Sequence, residues 1–368
     1  MSKTSKRLAI FLPSFAEGGA ERSMLRLAGG LLEQGHTVDL VLARAEGPNI
    51  TAMPQGVRML DLKAPRVLAS LPALVGYLRR ERPDALLSTL DYANVVALWA
   101  RRLARYPAKL AVNEQNTISV SSKHSAQRRQ QWVPRLVKHF YPWANYIIGN
   151  SQGVAEDLRH VTGLPADRIQ LIYNPVVTSE LAEKAKAALQ HPWFEPGQPP
   201  VLLAIGRLTV QKDFPTLIQA FAQVRQTQSV RLLILGEGAD RPALEALIKQ
   251  LGMEQDINLY GYVDNPYPFM KRAALFILSS RWEGLPTVLI EALFCGVPII
   301  ATDCPSGPRE ILANGKFGAL APMQQPAALA EIIKKALAGQ IPRPTKASWQ
   351  PYELETVVNQ YVDILVEQ

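Results

Sequence analysis

Two acids eight positions apart frame the segment Arg281-Trp282-Glu283-Gly284-Leu285-Pro286-Thr287-Val288-Leu289-Ile290-Glu291. An apolar, strand-like run at 274–278 precedes the first acid, and an apolar helical run surrounds the second. A strand, a loop carrying Gly284 and Pro286, and then a helix leave unpaired N–H groups at the helix start, where an anion is welcome. Glu283 falls in the loop. Glu291 falls roughly two turns into the helix, at about 3.6 residues per turn. Such a pair suits a ligand that sets a phosphate at the helix start, hydroxyls against the first acid and a ribose against the second. An acid before a helix is also commonly a plain dipole partner, so the pattern has to be read with its surroundings.

Those surroundings carry four more loops of the same kind. After the apolar run 201–205 comes Gly206-Arg207-Leu208-Thr209-Val210-Gln211-Lys212-Asp213. One planar guanidinium and one compact ammonium suit a diphosphate that gains charge as it leaves, although loop cations taken alone are more often simply solvated. Gly236-Glu237-Gly238 ends the next strand-like run. Tyr262 and Val263 follow another, where a ring can stack on a base and a backbone can read a base edge. Thr302 to Glu310 again joins a strand to a helix, with Pro308 suited to the first helical position. Near the start of the chain, Gly18-Gly19 lies between a strand and a helix and lets backbone approach a ligand closely. The three spaced glycines of a dinucleotide fingerprint are missing there, so a nicotinamide or flavin site is not expected.

The elements that must position these loops are legible as alternation. Strand-like runs at 7–12, 37–43, 57–60, 84–88, 109–113, 146–150 and 169–172 alternate with amphipathic stretches at 20–34, 67–80, 92–105, 125–140 and 151–161. Further strand-like runs at 201–205, 230–235, 257–260, 274–278, 298–301 and 318–320 alternate with helical stretches in the same way. Short apolar strands separated by helices predict an α/β fold with parallel sheets. A chain of 368 residues predicts two domains. Their boundary is placed at Asn174-Pro175, giving domains at 1–174 and 175–349, with residues 350–368 forming a helix that returns to the first.

Charge is unevenly shared. Residues 1–180 hold 23 Lys+Arg against 14 Asp+Glu, and residues 181–368 hold 17 against 18. The first half alone therefore faces an anionic partner. The run from Lys123 to Trp143 mixes cations with Trp132, Phe140, Tyr141 and Trp143, which suits a bilayer interface or a solvated helix with one packed aromatic face; Pro134 starts or kinks it. No stretch approaches the roughly 20 apolar residues that span a bilayer, and the first dozen residues show no signal-peptide pattern. The two cysteines, Cys295 and Cys304, form no metal or disulfide pattern and are expected to be structural.

Taken in order, Gly18-Gly19, Arg207 with Lys212, Glu283 with Glu291, and the Asp303–Glu310 loop resemble the retaining glycosyltransferases of family 4 over nearly the whole chain, most strongly from Val201 to Pro322. The run Cys304-Pro305-Ser306-Gly307-Pro308-Arg309-Glu310 is similar to a subgroup that builds bacterial lipopolysaccharide, capsule and lipid-linked oligosaccharides. The resemblance implies a GT-B fold, two Rossmann-like domains with parallel sheets facing a central cleft. It implies that Arg207 and Lys212 bind the donor diphosphate, that Glu283 contacts donor-sugar hydroxyls and Glu291 the ribose, and that Gly19 lies near the phosphates. Gly206, Tyr262, Val263, Gly284, Leu285, Pro286 and Thr287 join them on the donor side. Gly18, Gln115 and Asn116 are expected on the acceptor or sugar side. Many relatives carry a histidine where this chain has Gln115, an amide that can hydrogen-bond a hydroxyl but cannot titrate near neutral pH.

The implied reaction is retaining, proceeds by front-face attack and needs no metal, consistent with the lack of an Asp-x-Asp triplet. It needs no cofactor, since the nucleotide sugar, a UDP-linked hexose or N-acetylhexosamine, is a substrate. The implied partners are a glycan or lipid-linked acceptor and the anionic cytoplasmic face of the inner membrane, reached through the basic first domain. Two alternatives stay open: a soluble transferase acting on a small acceptor such as a sugar phosphate, and, more distantly, a basic nucleic-acid-binding protein, for which no recognised binding motif is present.

Overall fold

A computed structural model describes residues 5–15, 19–47, 50, 53–124 and 131–367. The chain forms two compact units, Met1–Val176 with Tyr352–Gln368, and Val177–Pro351.

The first unit alternates β1 (Arg7–Leu12), α1 (Gly19–Glu33), β2 (Thr37–Leu42), β3 (Arg58–Asp61), α2 (Leu71–Glu81), β4 (Ala85–Thr89), α3 (Asp91–Ala104), β5 (Lys109–Glu114), α4 (Ile118–His124), α5 (Val133–Phe140), β6 (Tyr146–Gly149), α6 (Gln152–Thr162) and β7 (Ile169–Leu171). The strands pair in the order β3-β2-β1-β4-β5-β6-β7, and every pairing is parallel. The central strands are nearly continuous in apolar residues because helices cover both faces of the sheet. Ala9, Phe11 and Val41 point into one core with α2, α3, α5 and α6. Leu8, Ile10 and Leu40 point into the other with α1. The order reverses between β1 and β4, which makes the carboxyl ends of those strands a topological switch point.

Asp39 interrupts the apolar run of β2 and is fully buried. It accepts hydrogen bonds from Arg58 Nε at 2.9 Å, Arg58 Nη2 at 2.7 Å, Arg7 Nε at 3.0 Å and the Tyr77 hydroxyl at 2.7 Å. Burial alone would push its pKa up; the Arg58 and Tyr77 hydrogen bonds and the Arg7 charge overcome it and hold the carboxyl below the usual range. Both arginines also reach Glu81 at the end of α2.

The second unit contains α7 (Ser179–Lys184), β8 (Val201–Ile205), α8 (Phe214–Arg225), β9 (Arg231–Leu235), α9 (Arg241–Gln250), β10 (Ile257–Gly261), α10 (Tyr267–Arg272), β11 (Leu275–Leu278), α11 (Thr287–Cys295), β12 (Ile299–Thr302), α12 (Pro308–Ile311), β13 (Ala319–Ala321), α13 (Pro326–Leu337) and α14 (Lys346–Trp349). Its parallel sheet runs β10-β9-β8-β11-β12-β13, with its own switch point between β8 and β11. The last helix, α15 (Leu354–Val362), belongs to the first unit. Its Val357, Val358, Tyr361 and Val362 are buried with α1 in the core on that face, and Asn359 accepts from Gln34 Nε2 at 2.7 Å.

The structure departs from the expected elements in two places that matter below. The expected helix over 125–140 is α5 alone, starting at Val133 with Pro134 in its first turn, where a missing N–H costs nothing; residues 125–130 lie outside the described residues. Helix α4, over Ile118–His124, was not expected, because Ile-Ser-Val-Ser-Ser lacks a clear 3.6-residue pattern and is rich in residues that disfavour helix interiors.

Candidate active site

A parallel sheet sends the loop after every strand to the same edge. In the second unit this gathers the sequence motifs: Gly206–Asp213 follows β8, Gly236–Asp240 follows β9, Tyr262-Val263 follows β10, Glu283–Pro286 follows β11, and Asp303–Gly307 follows β12. The centre of the group is an ion pair. Lys212 Nζ lies 2.6 Å from Glu283 Oε1, and the two side chains are 14% and 7% exposed. The Ser280 hydroxyl donates to the same oxygen at 2.6 Å, so the carboxylate is held from two sides.

The loops that carry this pair are laced together across 67–71 residues of sequence. Arg281 Nη2 reaches Asp213 Oδ1 at 2.8 Å, and Thr216 Oγ1 donates to Asp213 Oδ2 at 2.8 Å. The Arg281 N–H donates to the Gln211 carbonyl at 2.8 Å, Gln211 Nε2 donates to the Trp282 carbonyl at 2.9 Å, and the Ser279 hydroxyl donates to the Lys212 carbonyl at 2.7 Å. Asp213 is almost fully buried and sits at φ 48°, a left-handed conformation that Asp tolerates better than most residues. Residues 211–213 and 279–283 are thereby fixed to one another, which is what a preorganised site requires.

Neighbouring loops add rigidity by backbone contact. Gly236 has φ 141°, and a Cβ there would lie 2.1 Å from the Gly206 carbonyl oxygen; the Gly-x-Gly after β9 serves to let this loop lie against the β8 loop. Gly307 has φ 87°, and a Cβ would lie 2.4 Å from Pro286 Cδ. The Glu283 N–H donates to the Pro305 carbonyl at 3.2 Å and the Ser306 hydroxyl to the Gly284 carbonyl at 2.9 Å, so the β12 loop supports the loop that carries Glu283.

The other expected residues take distinct positions. Arg207 is exposed at the end of β8, with no hydrogen bond or ion pair to another of the described residues. Gly206 packs on the Lys212 stem, where an added Cβ would lie 3.1 Å from Cε. Gly284, Leu285 and Pro286 are buried, Thr287 is half-buried as the first residue of α11, Tyr262 is exposed and Val263 half-buried. Glu291 is the fifth residue of α11 and so lies just over one turn in, not two, because the helix starts only at Thr287. It is buried, and the Tyr267 hydroxyl of α10 donates to it at 3.4 Å. Burial beside Glu283 pushes the Cys304 thiol up to about 12, and burial near Glu291 does the same for Cys295; both are free, protonated packing groups. Among the described residues no group of three His, Cys, Asp or Glu side chains is placed to hold a metal ion.

In the first unit, Gly19 opens α1, and Gly18 lies outside the described residues. Gln115 departs from its expectation. Instead of presenting its amide to a sugar it is buried and internally bonded: Nε2 donates to Asn113 Oδ1 at 2.8 Å, and Oε1 accepts from Asn150 at 2.9 Å and Asn174 at 2.8 Å. Asn113 also donates to the Tyr361 hydroxyl of α15. The amide thus binds the ends of β5 and β6 and, through Asn113, the C-terminal helix. Asn116, one residue on, is exposed. Sequence reasoning missed Asp213, Ser280 and Arg281. The signal for Asp213 was its place directly before Phe214-Pro215, a helix-start pattern; Ser280 and Arg281 gave none, since their partners are set by the fold.

Comparison with known proteins identifies the family and the fold. Residues 186–353 match the family described as glycosyl transferases group 1, and residues 17–180 match glycosyltransferase family 4. A Campylobacter jejuni N-acetylgalactosaminyltransferase, named for an acceptor of N-acetylgalactosamine and diacetylbacillosamine on diphospho-undecaprenol, is 30% identical over 327 residues, 86% of either chain. The lipopolysaccharide core glycosyltransferase LpsE of Rhizobium meliloti is 27% identical over 88% of this chain and 86% of its own. The crystal structure of Anabaena HepE with UDP and glucose has the same fold, with a TM-score of 0.78 at 21% identity over 99% of this chain and all of that one. With two parallel α/β units, the motif loops gathered on one sheet edge and relatives matched along most of its length, the chain belongs to the family 4 glycosyltransferases and has the GT-B fold.

Proposed function

We propose that this glycosyltransferase moves a hexose or N-acetylhexosamine from its UDP derivative to a glycan or lipid-linked acceptor in bacterial surface polysaccharide assembly, with retention of configuration and without a metal ion. The observation that carries this reading is the buried Lys212–Glu283 pair, with Arg207 exposed and unpaired at the end of the adjoining strand. A donor diphosphate offers Lys212 a doubly charged partner and draws Arg207 in, so two cations neutralise the leaving group as the C1–O bond to phosphate breaks. Glu283, released from Lys212, accepts hydrogen bonds from donor-sugar hydroxyls, and Glu291 takes the ribose. The acceptor hydroxyl forms its bond to C1 on the face the diphosphate leaves, and a departing phosphate oxygen takes its proton. No protein nucleophile is used.

The names of the relatives support the substrate class: one is an N-acetylgalactosaminyltransferase acting on an undecaprenol-linked acceptor, another a lipopolysaccharide core enzyme. The second unit holds the donor and the first receives the acceptor. Among the described residues no helix is long and apolar enough to cross a membrane. Contact with the anionic cytoplasmic face of the inner membrane runs through the first unit, where the ends of α2 and α3 and the face of α5 expose Arg79, Arg102, Arg105, Arg135 and Lys138 beside Leu103 and Trp132. Cations so placed contribute about 1 kcal/mol each near anionic lipid. Phe140 and Trp143 pack edge-on against each other, and Phe140 against Trp99, at 4.9 and 5.1 Å, and the Arg102 guanidinium lies over the Trp143 ring.

A thermal-shift screen of UDP- and GDP-sugars, followed by NMR of the product anomer with and without EDTA, tests the reaction. The expected outcome is a large shift with one UDP-sugar and an EDTA-insensitive α-product from an α-donor. A β-product, or a covalent glycosyl-enzyme trapped by mass spectrometry, removes the front-face route. Flotation with anionic vesicles that weakens at high salt supports the membrane contact; equal binding at both salts removes it.

A further inference from the structure

A buried hydroxyl stands behind the Lys212–Glu283 ion pair. Ser280 is fully buried in the stretch between β11, which ends at Leu278, and Glu283. Its hydroxyl donates to Glu283 Oε1 at 2.6 Å. Lys212 Nζ reaches that same oxygen at 2.6 Å. Among the described residues, both side-chain hydrogen bonds of the carboxylate therefore fall on Oε1, and neither falls on Oε2.

The two partners of Oε1 are unequal. Ser280 is held from three directions. Its carbonyl accepts from Thr302 Oγ1, at the end of β12, at 2.5 Å. On one side of it the Ser279 hydroxyl donates to the Lys212 carbonyl at 2.7 Å, and on the other the Arg281 N–H donates to the Gln211 carbonyl at 2.8 Å. The backbone that carries the hydroxyl is thus tied both to β12 and to the loop after β8. Lys212 shares that bracing only through its backbone. Its ammonium ends a flexible four-carbon stem and is the more exposed partner, at 14%. One donor to Oε1 is fixed and the other can move.

We propose that Ser280 is a positioning residue for the transfer: it keeps hold of Glu283 Oε1 when the donor diphosphate draws Lys212 away, and so presents Oε2 to a hydroxyl of the donor sugar. The inference rests on the glycosyltransferase reading above, with Glu283 on the sugar side of the donor. The terminal torsion of a glutamate is broad and roughly two-fold. Once the ammonium leaves, a carboxylate with no other partner samples many orientations, and ordering it again opposes sugar binding. A hydrogen bond from a hydroxyl to a carboxylate is charge-assisted and among the stronger kinds. Coming from a fixed serine, it selects one orientation in advance, which is the preorganisation that transition-state stabilisation needs. In the ligand-free protein Lys212 holds the carboxylate whether or not Ser280 does. The serine therefore matters little to the resting fold and most when a sugar is bound.

The test is calorimetry on the full chain with UDP, set against UDP-glucose, UDP-galactose, UDP-N-acetylglucosamine and UDP-N-acetylgalactosamine, and with donor hydrolysis as the turnover readout. Ser280→Ala is expected to bind UDP as the wild type does and to bind the preferred UDP-sugar about tenfold more weakly, the loss of one hydrogen bond to a charged group. Turnover falls by at least the same factor. Ser280→Cys keeps nearly the same shape but offers only a weak S–H donor. It is expected to show the same losses, and it decides the matter alone if Ser280→Ala does not fold. In a Glu283→Gln background, Ser280→Ala is expected to weaken UDP-sugar binding far less, because the two residues act as one unit. Equal weakening of UDP and UDP-sugar, wild-type behaviour in Ser280→Cys, or full additivity with Glu283→Gln overturns the proposal. A wild-type chain that binds none of the four donors overturns the functional reading itself. Wild-type donor binding with unchanged variants overturns the role of Ser280 alone, so the two failures are distinct.

Discussion

The two edges of the first sheet treat a buried carboxyl in opposite ways. At the amino edge Asp39 takes four hydrogen bonds, three of them from two arginines, and its pKa is lowered. At the carboxyl edge Glu114 has a hydroxyl and an amide and is raised to about 8. Neither arrangement follows from burial, which both share. Asp39 is closed on all sides by partners that stay put, so it is a cross-brace between β1, β2, β3 and α2. Glu114 borders a cavity, is bonded by Tyr141, Asn94 and the Gln115 backbone, and has no cation among the described residues that line that cavity. The second sheet repeats the carboxyl-edge pattern in a charged form: Glu283 has one cation, Lys212, which a stronger anion can claim, and Arg207 stands open beside it. Saturated charge marks the scaffold here, and unsaturated charge marks the sites.

The sharpest way to break that contrast is Lys212→Met. It leaves Glu283 buried without its cation, and breaking a buried pair costs about 3–5 kcal/mol. It also removes one of two charges on the leaving diphosphate, for a fall of about 10²–10³ in kcat. The double variant Lys212→Met with Glu283→Gln is expected to recover most of the stability in urea melts and none of the transfer. A double variant as unstable as the single one shows that Lys212 matters through packing rather than charge.

Asp39→Asn addresses the other edge. Both arginines stay partly exposed, 30% for Arg7 and 45% for Arg58, so they can rehydrate, and the cost lies near the lower end of that range, about 3 kcal/mol. Because the folded-state pKa of Asp39 is lowered, its contribution is complete at neutral pH and is lost as pH falls through that value. The variant therefore loses stability at pH 7 and differs less from wild type in acid, while donor binding per folded molecule is unchanged. A loss of UDP affinity in folded Asp39→Asn protein would join the two edges and end the comparison.

Glu114 carries the opposite sign. Its folded pKa is raised from an ordinary 4.5 to about 8, so the unfolded chain gives up a proton that the folded chain keeps, and stability falls with pH between those values. From pH 6 to pH 8 the loss amounts to about 2 kcal/mol. The charged and titratable groups facing it are Asp91 on α3 and Tyr141 after α5, and Tyr141, pushed well above its ordinary value, stays protonated across this window. Glu114→Gln is expected to gain stability relative to wild type by that amount over the same interval, read as a difference in Tm. Parallel curves for the two proteins would show Glu114 ionised in the folded state.

The fold was the legible part. Strands such as Leu-Ala-Ile-Phe-Leu are apolar throughout because both faces of a parallel sheet are covered, and that leaves a strong local signal. The candidate donor motifs were legible as loops after strands, and the parallel sheet sends those loops to one edge. What stayed hidden depends on distance along the chain. Lys212 and Glu283 were both marked, but their pairing across 71 residues is a property of the β8–β11 adjacency, and so is the Arg281–Asp213 brace. Gln115 was misjudged because an exposed and a buried amide look alike in sequence; Asn150 and Asn174, which enclose it, lie 35 and 59 residues away. Glu114 gave a signal that went unused: an acid closing the apolar run Leu-Ala-Val-Asn-Glu is costly in a central strand and calls for a reason.

Arg207 gives the smallest effect on the fold. Unlike Arg58 it has no acid beside it among the described residues, it is exposed, and its stem follows a strand end rather than lying in a sheet. Surface changes free of such contacts usually stay within about 0.5 kcal/mol, so Arg207→Ala is expected to leave Tm and the urea midpoint nearly unmoved. Its effect belongs to the ligand. A guanidinium binds phosphate through two parallel hydrogen bonds, and Lys, a point charge, restores only part of that. The UDP-sugar affinity is therefore expected to fall in Arg207→Ala and to recover partly in Arg207→Lys, with the stability of all three proteins alike. If Arg207→Ala instead unfolds early, the guanidinium is a brace like Arg58, and an unpaired cation at a strand end no longer distinguishes a site from a scaffold in this chain.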